Sequence, residues 1–115
     1  MLLTPHHRVF LATEPVDFRN GIDGLQAICR RALNQDPFSG TVFAFCSKAR
    51  TSIKLLVYDG NGFWLCHKRF SKGRLAFWPT SAASAANLRA TEVNILLAQG
   101  NPTASSIPEE WRKVL

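Results

Sequence analysis

The strongest constraint on the fold is a series of short apolar, β-branched and aromatic runs in the middle of the chain, separated by only a few polar residues. These runs predict strands over residues 41–46, 53–58, 63–70 and 74–78. The sequence Asp59-Gly60-Asn61-Gly62 between the second and third runs is a strong hairpin signal. Connections this short cannot hold crossover helices, so these neighbouring strands are expected to run antiparallel.

The flanking regions predict one further strand and two helices. A β-branched and aromatic run predicts a strand over residues 9–13, which Pro15 closes. Apolar residues at steps of three and four predict a helix over residues 22–33, with Asp23 in its first turn. The Ala/Ser-rich residues 81–86 indicate a loop. A second short helix is expected from a cap at Thr91 to a stop at Gly100.

These elements predict an α+β fold, in which one main helix packs on an antiparallel sheet of four to five strands and a short C-terminal helix follows. We expect residues 1–100 to form a single domain and residues 101–115 to form a tail that docks through Trp111 and Val114 or stays apart. The 115 residues are too few for a doubly wound enzyme or an α/β barrel. The 46% of hydrophobic residues argues against intrinsic disorder.

Cysteine usage and hydropathy indicate a cytoplasmic protein without membrane contact. The three cysteines, Cys29, Cys46 and Cys66, are odd in number and widely spaced, which favours reduced, buried thiols over a disulfide framework. Residues 1–8 lack a basic region followed by an apolar region, so no signal peptide is expected. The apolar runs are much shorter than the ~20 residues that a membrane helix needs.

The charge of the chain is concentrated in one segment. The whole chain has a formal net charge of +6. Residues 48–74 contain seven basic residues against one acid, Asp59, so this segment alone accounts for that excess. The basic residues are Lys48, Arg50, Lys54, Lys68, Arg69, Lys72 and Arg74. Concentrated positive charge favours a polyanionic partner, and nucleic acid is the first candidate.

A hairpin that turns at Gly60-Asn61 would bring these seven residues to the same end of the strands, where they could grip phosphates. Five aromatic residues interleave with them and either stack on unpaired bases or fill the core: Phe63, Trp64, Phe70, Phe77 and Trp78. Two other interpretations of the basic residues stay open. They could contact an acidic protein, or they could simply form the solvated face and protected edge of the sheet.

The residues argue against an enzyme. A metal-dependent nuclease needs two or three carboxylates around its metal ions. Asp23 is explained by a helix start and Asp36 and Asp59 by turns, which leaves only Asp17. The pair His6-His7 is adjacent and lies in a predicted arm, so it is a poor metal site. We therefore predict no catalytic residue, no metal and no cofactor.

Seven short motifs, in this order and spacing, resemble one known family. They are Phe10-Leu11-Ala12, Pro15-Val16-Asp17-Phe18-Arg19, Gly21-Ile22-Asp23-Gly24-Leu25, Asp36-Pro37-Phe38-Ser39-Gly40, Ile53-Lys54-Leu55-Leu56, Tyr58-Asp59-Gly60-Asn61-Gly62-Phe63-Trp64-Leu65 and Lys68-Arg69-Phe70-Ser71-Lys72-Gly73-Arg74. The family is the TnpB-like accessory protein from the second open reading frame of insertion-sequence 66 elements. The resemblance covers about residues 9–100.

This resemblance implies a role in DNA transposition beside a separate, larger transposase that carries the catalytic carboxylates. The implied partners are DNA, the transposase and other proteins of the element. The positions that match the family's motifs are Asp17, Arg19, Asp23, Asp36, Pro37, Gly40, Asp59, Gly60, Gly62 and Gly73. Lys54, Lys68, Arg69, Lys72 and Arg74 match its basic hairpin.

The chain departs from the family pattern in two places. The segment between Phe45 and Ile53 is poorer in arginine than is usual, and Leu75 stands where an aromatic residue is common. Two functional hypotheses result. The first is a non-catalytic accessory protein that binds DNA through the basic hairpin. The alternative is an interaction module that docks on the transposase through Phe38, Trp64 or Trp111 without touching DNA.

Overall fold

A computed structural model describes residues 8–80 and 85–100 of the chain. They form five strands and two helices in the following order: β1 Arg8–Ala12, α1 Ile22–Arg31, β2 Val42–Cys46, β3 Ser52–Tyr58, β4 Phe63–Arg69, β5 Ala85–Arg89 and α2 Ala90–Leu97. The predicted α+β class is confirmed, and so are the main helix, the two strands of the hairpin and the two predicted strands that precede it, to within one or two residues. His6, His7, Trp111 and the predicted tail lie outside the described residues.

The five strands form one sheet in the order β4-β3-β2-β1-β5. Strands β2, β3 and β4 run antiparallel as predicted, and β5 is antiparallel to β1. The expectation of a wholly antiparallel sheet is wrong, because β1 pairs with β2 in parallel. Helix α1 lies between these two strands in sequence and returns the chain to the start of β2, which is the connection that parallel neighbours need.

The predicted strand over residues 74–78 is also wrong. The Leu75 N–H donates to the Arg50 carbonyl at 2.8 Å, and the Trp78 indole N–H donates to the Ala12 carbonyl at 2.9 Å. Because of these bonds, residues 74–78 cross one face of the sheet and do not pair along its edge. Leu75 and Trp78 are therefore buried as part of the core, and Phe77 is partly buried against it.

The fifth strand is instead Ala85–Arg89, which begins in the stretch expected to be a loop. It pairs with β1 from Arg8↔Arg89 to Ala12↔Ala85, so pairing in the sheet overrides a weak local strand signal. Helix α2 follows directly and starts at Ala90. The expected cap at Thr91 is wrong, because the N-cap residue is Arg89, whose backbone N–H donates to Oε1 of Glu92 at 3.1 Å.

Both faces of the central strands β1, β2 and β3 are covered. Helix α1 packs Leu25 and Cys29 against one face, with Phe43 and Leu56 beneath them. Helix α2 and residues 70–78 cover the other face. Strand β4, at the edge of the sheet, has no fully buried residue, so its side chains are accessible to partners.

The predicted state of the thiols agrees with this packing. Cys29 and Cys46 are free and buried, and burial raises their pKa values to about 12 and about 11. Cys66 is free and half-buried. No helix in residues 8–80 and 85–100 combines the length and hydrophobicity required to cross a membrane.

Candidate nucleic-acid interface

The antiparallel hairpin brings most of the predicted basic residues to one end of the sheet. In the β3–β4 register Arg69 lies opposite Ser52, and Lys68 lies opposite Ile53. The Phe70 N–H donates to the Thr51 carbonyl at 2.9 Å and continues the pairing beyond the strands. Residues 47–51 therefore lie beside residues 70–75. We call this end of the molecule, with both loops, the basic end.

The first loop, residues 47–51, is held by its own backbone and one serine. The Ser47 hydroxyl accepts the N–H groups of Thr51 at 3.1 Å and Ser52 at 3.2 Å. The Arg50 N–H donates to the Ser47 carbonyl at 3.0 Å, and Arg50 has a φ of 60°. A left-handed conformation is unusual for arginine, so the surrounding bonds fix this turn against its intrinsic preference.

The second loop, residues 70–75, is fixed from two sides. Leu75 bonds to the carbonyl of Arg50 in the first loop, as described above. The Gln99 amide, just after α2, donates to the carbonyls of Lys72 at 3.0 Å and Arg74 at 3.1 Å. Gly73 lies between them at a φ of 70°, where glycine is favoured. Both loops are thus held through main-chain atoms, which leaves their basic side chains out of the scaffold.

Four basic side chains project from these two loops: Lys48, Arg50, Lys72 and Arg74. We call the two loops, with these four side chains, the paired basic loops. Three of the side chains are exposed, and Arg50 is half-exposed. Within the described part of the chain the only ion pairs are Arg19–Asp17 and Arg89–Glu92, so none of the four is neutralised there. Arg69 is exposed beside them. Unpaired cations that lie close together on a fixed support are chemically suited to contact anions.

Lys68 and Lys54 have structural partners. The Lys68 ammonium donates to the Leu97 carbonyl at the end of α2 at 2.7 Å, where a cation also complements the helix dipole. Lys54 is only 7% exposed, and its ammonium donates to the carbonyls of Phe18 and Asn20, each at 2.9 Å. Lys54 therefore joins the loop before α1 to the sheet and does not belong to the exposed cations. Its place inside a continuous apolar run was the sequence signal for this burial.

Asp17, for which sequence reasoning found no role, forms an ion pair with Arg19. Two guanidinium nitrogens of Arg19 bond to the carboxylate, the closer at 2.6 Å, and the Arg19 backbone N–H adds a bond of 2.9 Å. These bonds lower the pKa of Asp17 to about 2, and the nearby charge of Lys48 contributes more weakly. Asp17 is thus ionised and paired beside the first basic loop. The two-residue spacing was the signal that could have found this pair.

Asn20 stabilises the segment between Asp17 and α1. The Asn20 amide donates to the Asp17 carbonyl at 2.9 Å. A Cβ at Gly24 in α1 would overlap Oδ1 of Asn20, so glycine is what lets the helix approach this side chain. Asp23 lies in the first turn of α1, as predicted.

The opposite end of the hairpin is different, and we call it the aromatic end. Phe38, Tyr58 and Phe63 form three mutual ring contacts with centroids 4.9 to 5.1 Å apart. The Arg30 guanidinium lies 5.6 Å from the Phe38 ring centroid. Two motifs that are distant in sequence therefore meet here. They are the turn over residues 36–40, with Pro37 buried and Gly40 at a φ of 84°, and the hairpin turn over residues 59–62.

Both carboxylates of these turns are used locally. Asp36 accepts the Phe38 N–H at 2.9 Å. Asp59 accepts the N–H groups of Asn61 and Gly62, and its other oxygen accepts the Trp64 indole N–H at 2.7 Å. The backbone bond from Asn61 and the bond from Trp64 lower the pKa of Asp59. Gly60 has a φ of 108°, as the turn requires. Six strand positions separate this turn from Arg69, about 20 Å at the usual rise.

The aromatic residues divide between the core and the surface. Phe70 and Trp78 are buried, so the idea that they stack on bases is wrong. Phe38 is 46% and Trp64 is 56% exposed, and both belong to the aromatic end. Among residues 8–80 and 85–100, no three His, Cys, Asp or Glu side chains come close enough to hold a metal ion.

Comparison with known proteins identifies the family. The model of the IS66 Orf2-like protein family matches residues 7–105. The chain belongs to this family. It is 35% identical over 91 residues to the uncharacterized protein y4jC of Sinorhizobium fredii, a match covering 79% of this chain and 77% of the relative. It is 30% identical over 90 residues to y4hO of the same organism, covering 78% and 77%. No solved structure matches the chain.

Proposed function

We propose that this IS66 Orf2-like protein is a non-catalytic accessory factor of transposition that binds DNA through its basic end. One observation carries the proposal. The four cations of the paired basic loops lie on two adjacent loops that are fixed by backbone bonds and by the side chains of Ser47 and Gln99, and none of the four forms an ion pair with a described carboxylate. Family membership supplies the connection to an insertion-sequence element.

The form of this surface favours phosphates over bases. Lysine and arginine side chains on loops are suited to phosphate oxygens, which fix a protein on DNA without reading its sequence. Stacking on unpaired bases needs exposed rings, and the aromatic neighbours Phe70 and Trp78 are buried beneath this end. The proposed ligand is therefore the phosphate backbone of duplex DNA.

Fluorescence anisotropy of the full chain with a labelled duplex, at a series of KCl concentrations, tests this proposal. Each phosphate contact that is lost should flatten the slope of log K against log salt by about 0.9. A variant with Lys48→Gln, Arg50→Asn, Lys72→Gln and Arg74→Gln should lose a slope of about 3 to 4 and bind weakly at every salt concentration. Asparagine is used at position 50 because it tolerates the positive φ of Arg50.

Two controls make the result interpretable. The labelled duplex carries the sequence of one end of the insertion-sequence element. A duplex with the same bases in scrambled order should bind almost as well, because its phosphates are the same. An equally long single strand should bind more weakly than the duplex. Binding by the wild-type protein that ignores salt, or a quadruple variant with unchanged affinity, would contradict the proposal.

A second function, docking on the transposase, is favoured by the aromatic end. Phe38 and Trp64 are large, exposed aromatic side chains of the kind that dominate protein interfaces. The test is co-purification of the two proteins in high salt after nuclease treatment. Retention of the wild-type chain with loss of a folded Phe38→Gln variant, which leaves β4 unchanged, would support docking, and absence of retention would refute it.

A further inference from the structure

β4 is an edge strand, and its outer side carries no neighbouring strand in the described part of the chain. The bonds at its two ends show which residues face outward. Phe70 bonds to Thr51, and Asp59 bonds to Gly62, so even-numbered positions of this strand pair with β3 through their backbones. Hydrogen-bonded pairs alternate along an antiparallel ladder. The N–H and C=O groups of the odd-numbered residues, Phe63, Leu65, His67 and Arg69, therefore point away from the sheet.

The side chains of β4 are complementary to those of the same strand turned around. The strand reads Phe-Trp-Leu-Cys-His-Lys-Arg, with aromatic residues at one end and basic residues at the other. A two-fold axis at Cys66, its central residue, would place Trp64 opposite Lys68 of the second copy and Phe63 opposite Arg69. Leu65 would face His67, and Cys66 would face itself. Facing residues in an antiparallel pair lie on the same side of the sheet, so the Arg69 guanidinium would meet the ring of Phe63. The side chain of Lys68, whose ammonium bonds to the Leu97 carbonyl, would pack beside Trp64.

The backbone agrees with this register. The pairs 63·69 and 65·67 join outward-facing residues, which are the ones that hydrogen-bond across the new ladder. All four outward-facing residues of each copy obtain partners, whereas an axis at any other residue would leave some of them unpaired. Trp64 is the most exposed large hydrophobic residue of the described chain, and this pairing would cover it.

We propose that two copies of this chain associate through β4, antiparallel and about a two-fold axis at Cys66, to form one continuous ten-stranded sheet. The proposal goes beyond DNA binding and does not depend on it. Because the copies run in opposite directions, their basic ends lie at opposite ends of the interface. The paired basic loops stay outside the new strand pair and free for phosphate.

The central pair gives a direct test, because Cys66 is its own partner. At a non-hydrogen-bonded antiparallel pair the two Cα atoms are about 4.5 Å apart, which a disulfide can span. Diamide, which takes up the two thiol hydrogens as the disulfide forms, should convert the full chain to a covalent dimer within its native assembly. Cys29 and Cys46 are buried and serve as internal controls. A Cys66→Ser variant should form no covalent dimer.

Sedimentation velocity of nuclease-treated protein measures the association without any cross-link. The wild-type chain should approach twice its mass of 12.8 kDa as concentration rises. Trp64→Lys places lysine opposite lysine and should return the protein to the monomer. The swapped variant Trp64→Lys/Lys68→Trp restores both pairs and should restore the dimer.

The proposal is overturned if the wild-type chain stays monomeric at every concentration, which would leave β4 free for a strand of another protein. It is equally overturned if the dimer survives Trp64→Lys, or if oxidation joins Cys29 or Cys46 in place of Cys66. Circular dichroism of each variant shows whether it is folded. If Trp64→Lys does not fold, His67→Pro replaces it, since proline is tolerated where an edge N–H faces outward and would remove two of the new bonds.

Discussion

The two ends of one hairpin differ in what their charged groups do. At the aromatic end, Asp36 and Asp59 accept backbone N–H groups and hold two turns, while three rings pack against each other. At the basic end, main-chain bonds and the hydroxyl of Ser47 fix the loops, and the cations of the paired basic loops have no described acidic partner. Charge that builds structure is therefore at one end, and charge that is free to bind is at the other.

This comparison shows that a basic residue in the sequence is not necessarily available to bind a ligand. Lys54 and Lys72 belong to the same basic segment, yet Lys54 is buried with two carbonyl partners and Lys72 is exposed. The difference arises from the layer that covers the sheet, because α1 and the loop before it close over β3. Substitutions at the two ends should separate stability from binding.

The largest expected effect is on the buried cation. Lys54→Met should lower the free energy of unfolding by about 3 kcal/mol, because two charge-assisted bonds are lost and two carbonyls are left without their donor. Lys48→Met, at an exposed position of the same basic segment, should stay within about 0.5 kcal/mol of wild type. Urea denaturation followed by circular dichroism measures both. Equal effects would refute the distinction between the two lysines.

At the aromatic end, removal of one ring should lower the free energy of unfolding less than Lys54→Met does. Phe38→Ala should lower the free energy of unfolding by about 1–2 kcal/mol, since it loses two ring contacts and the interaction with Arg30 at a partly exposed site. Phe38→Leu keeps more apolar volume, so its free energy of unfolding should lie between those of Phe38→Ala and wild type in the same denaturation experiment. DNA affinity should be unchanged in both variants, and a large loss of affinity would break the separation of the two ends.

The smallest effect concerns pH. The pKa of Asp17 is lowered from 3.8 to about 2, so its ionised form stabilises the fold above pH 3.8 and that contribution is lost as the pH falls towards 2. Asp17→Asn should therefore be less stable than wild type at pH 7, and most of this difference in stability should be lost at pH 2, where about half of the Asp17 carboxyl groups are protonated. Thermal unfolding at both pH values measures the difference. A difference of the same size at both pH values would show that the Asp17–Arg19 ion pair is not its source.

The elements that depend on short-range sequence patterns could be predicted, whereas the strand pairing and the contacts that depend on distant residues could not. The turn residues at Asp59-Gly60-Asn61-Gly62 and the apolar spacing in α1 are short-range patterns, and both elements are present. Strand β5 could not be predicted, because its alanine-rich residues become a strand only by pairing with β1. The apolar run around Lys54 is a local signal for its burial, but its two carbonyl partners lie 34 and 36 positions away, and no local pattern identifies them.

The candidate site was predictable to a similar degree. The predicted hairpin placed four basic residues beside Lys48 and Arg50, and the observed strand pairing agrees with this placement. The four are Lys68, Arg69, Lys72 and Arg74. Which of these cations are free depends on tertiary contacts, such as the bond from Lys68 to the end of α2. The binding role of all of them stays a prediction.

The central claim is that the position of the positive charge, and not its total, makes the protein bind DNA. Two variants that lose the same number of charges test it: Lys72→Gln/Arg74→Gln at the basic end, and Arg30→Gln/Arg31→Gln at the end of α1, where both arginines are exposed. The measurement is the salt dependence of duplex binding by fluorescence anisotropy. The account predicts that the first variant loses a slope of about 1.8 and the second almost none. Equal losses in the two variants would contradict it.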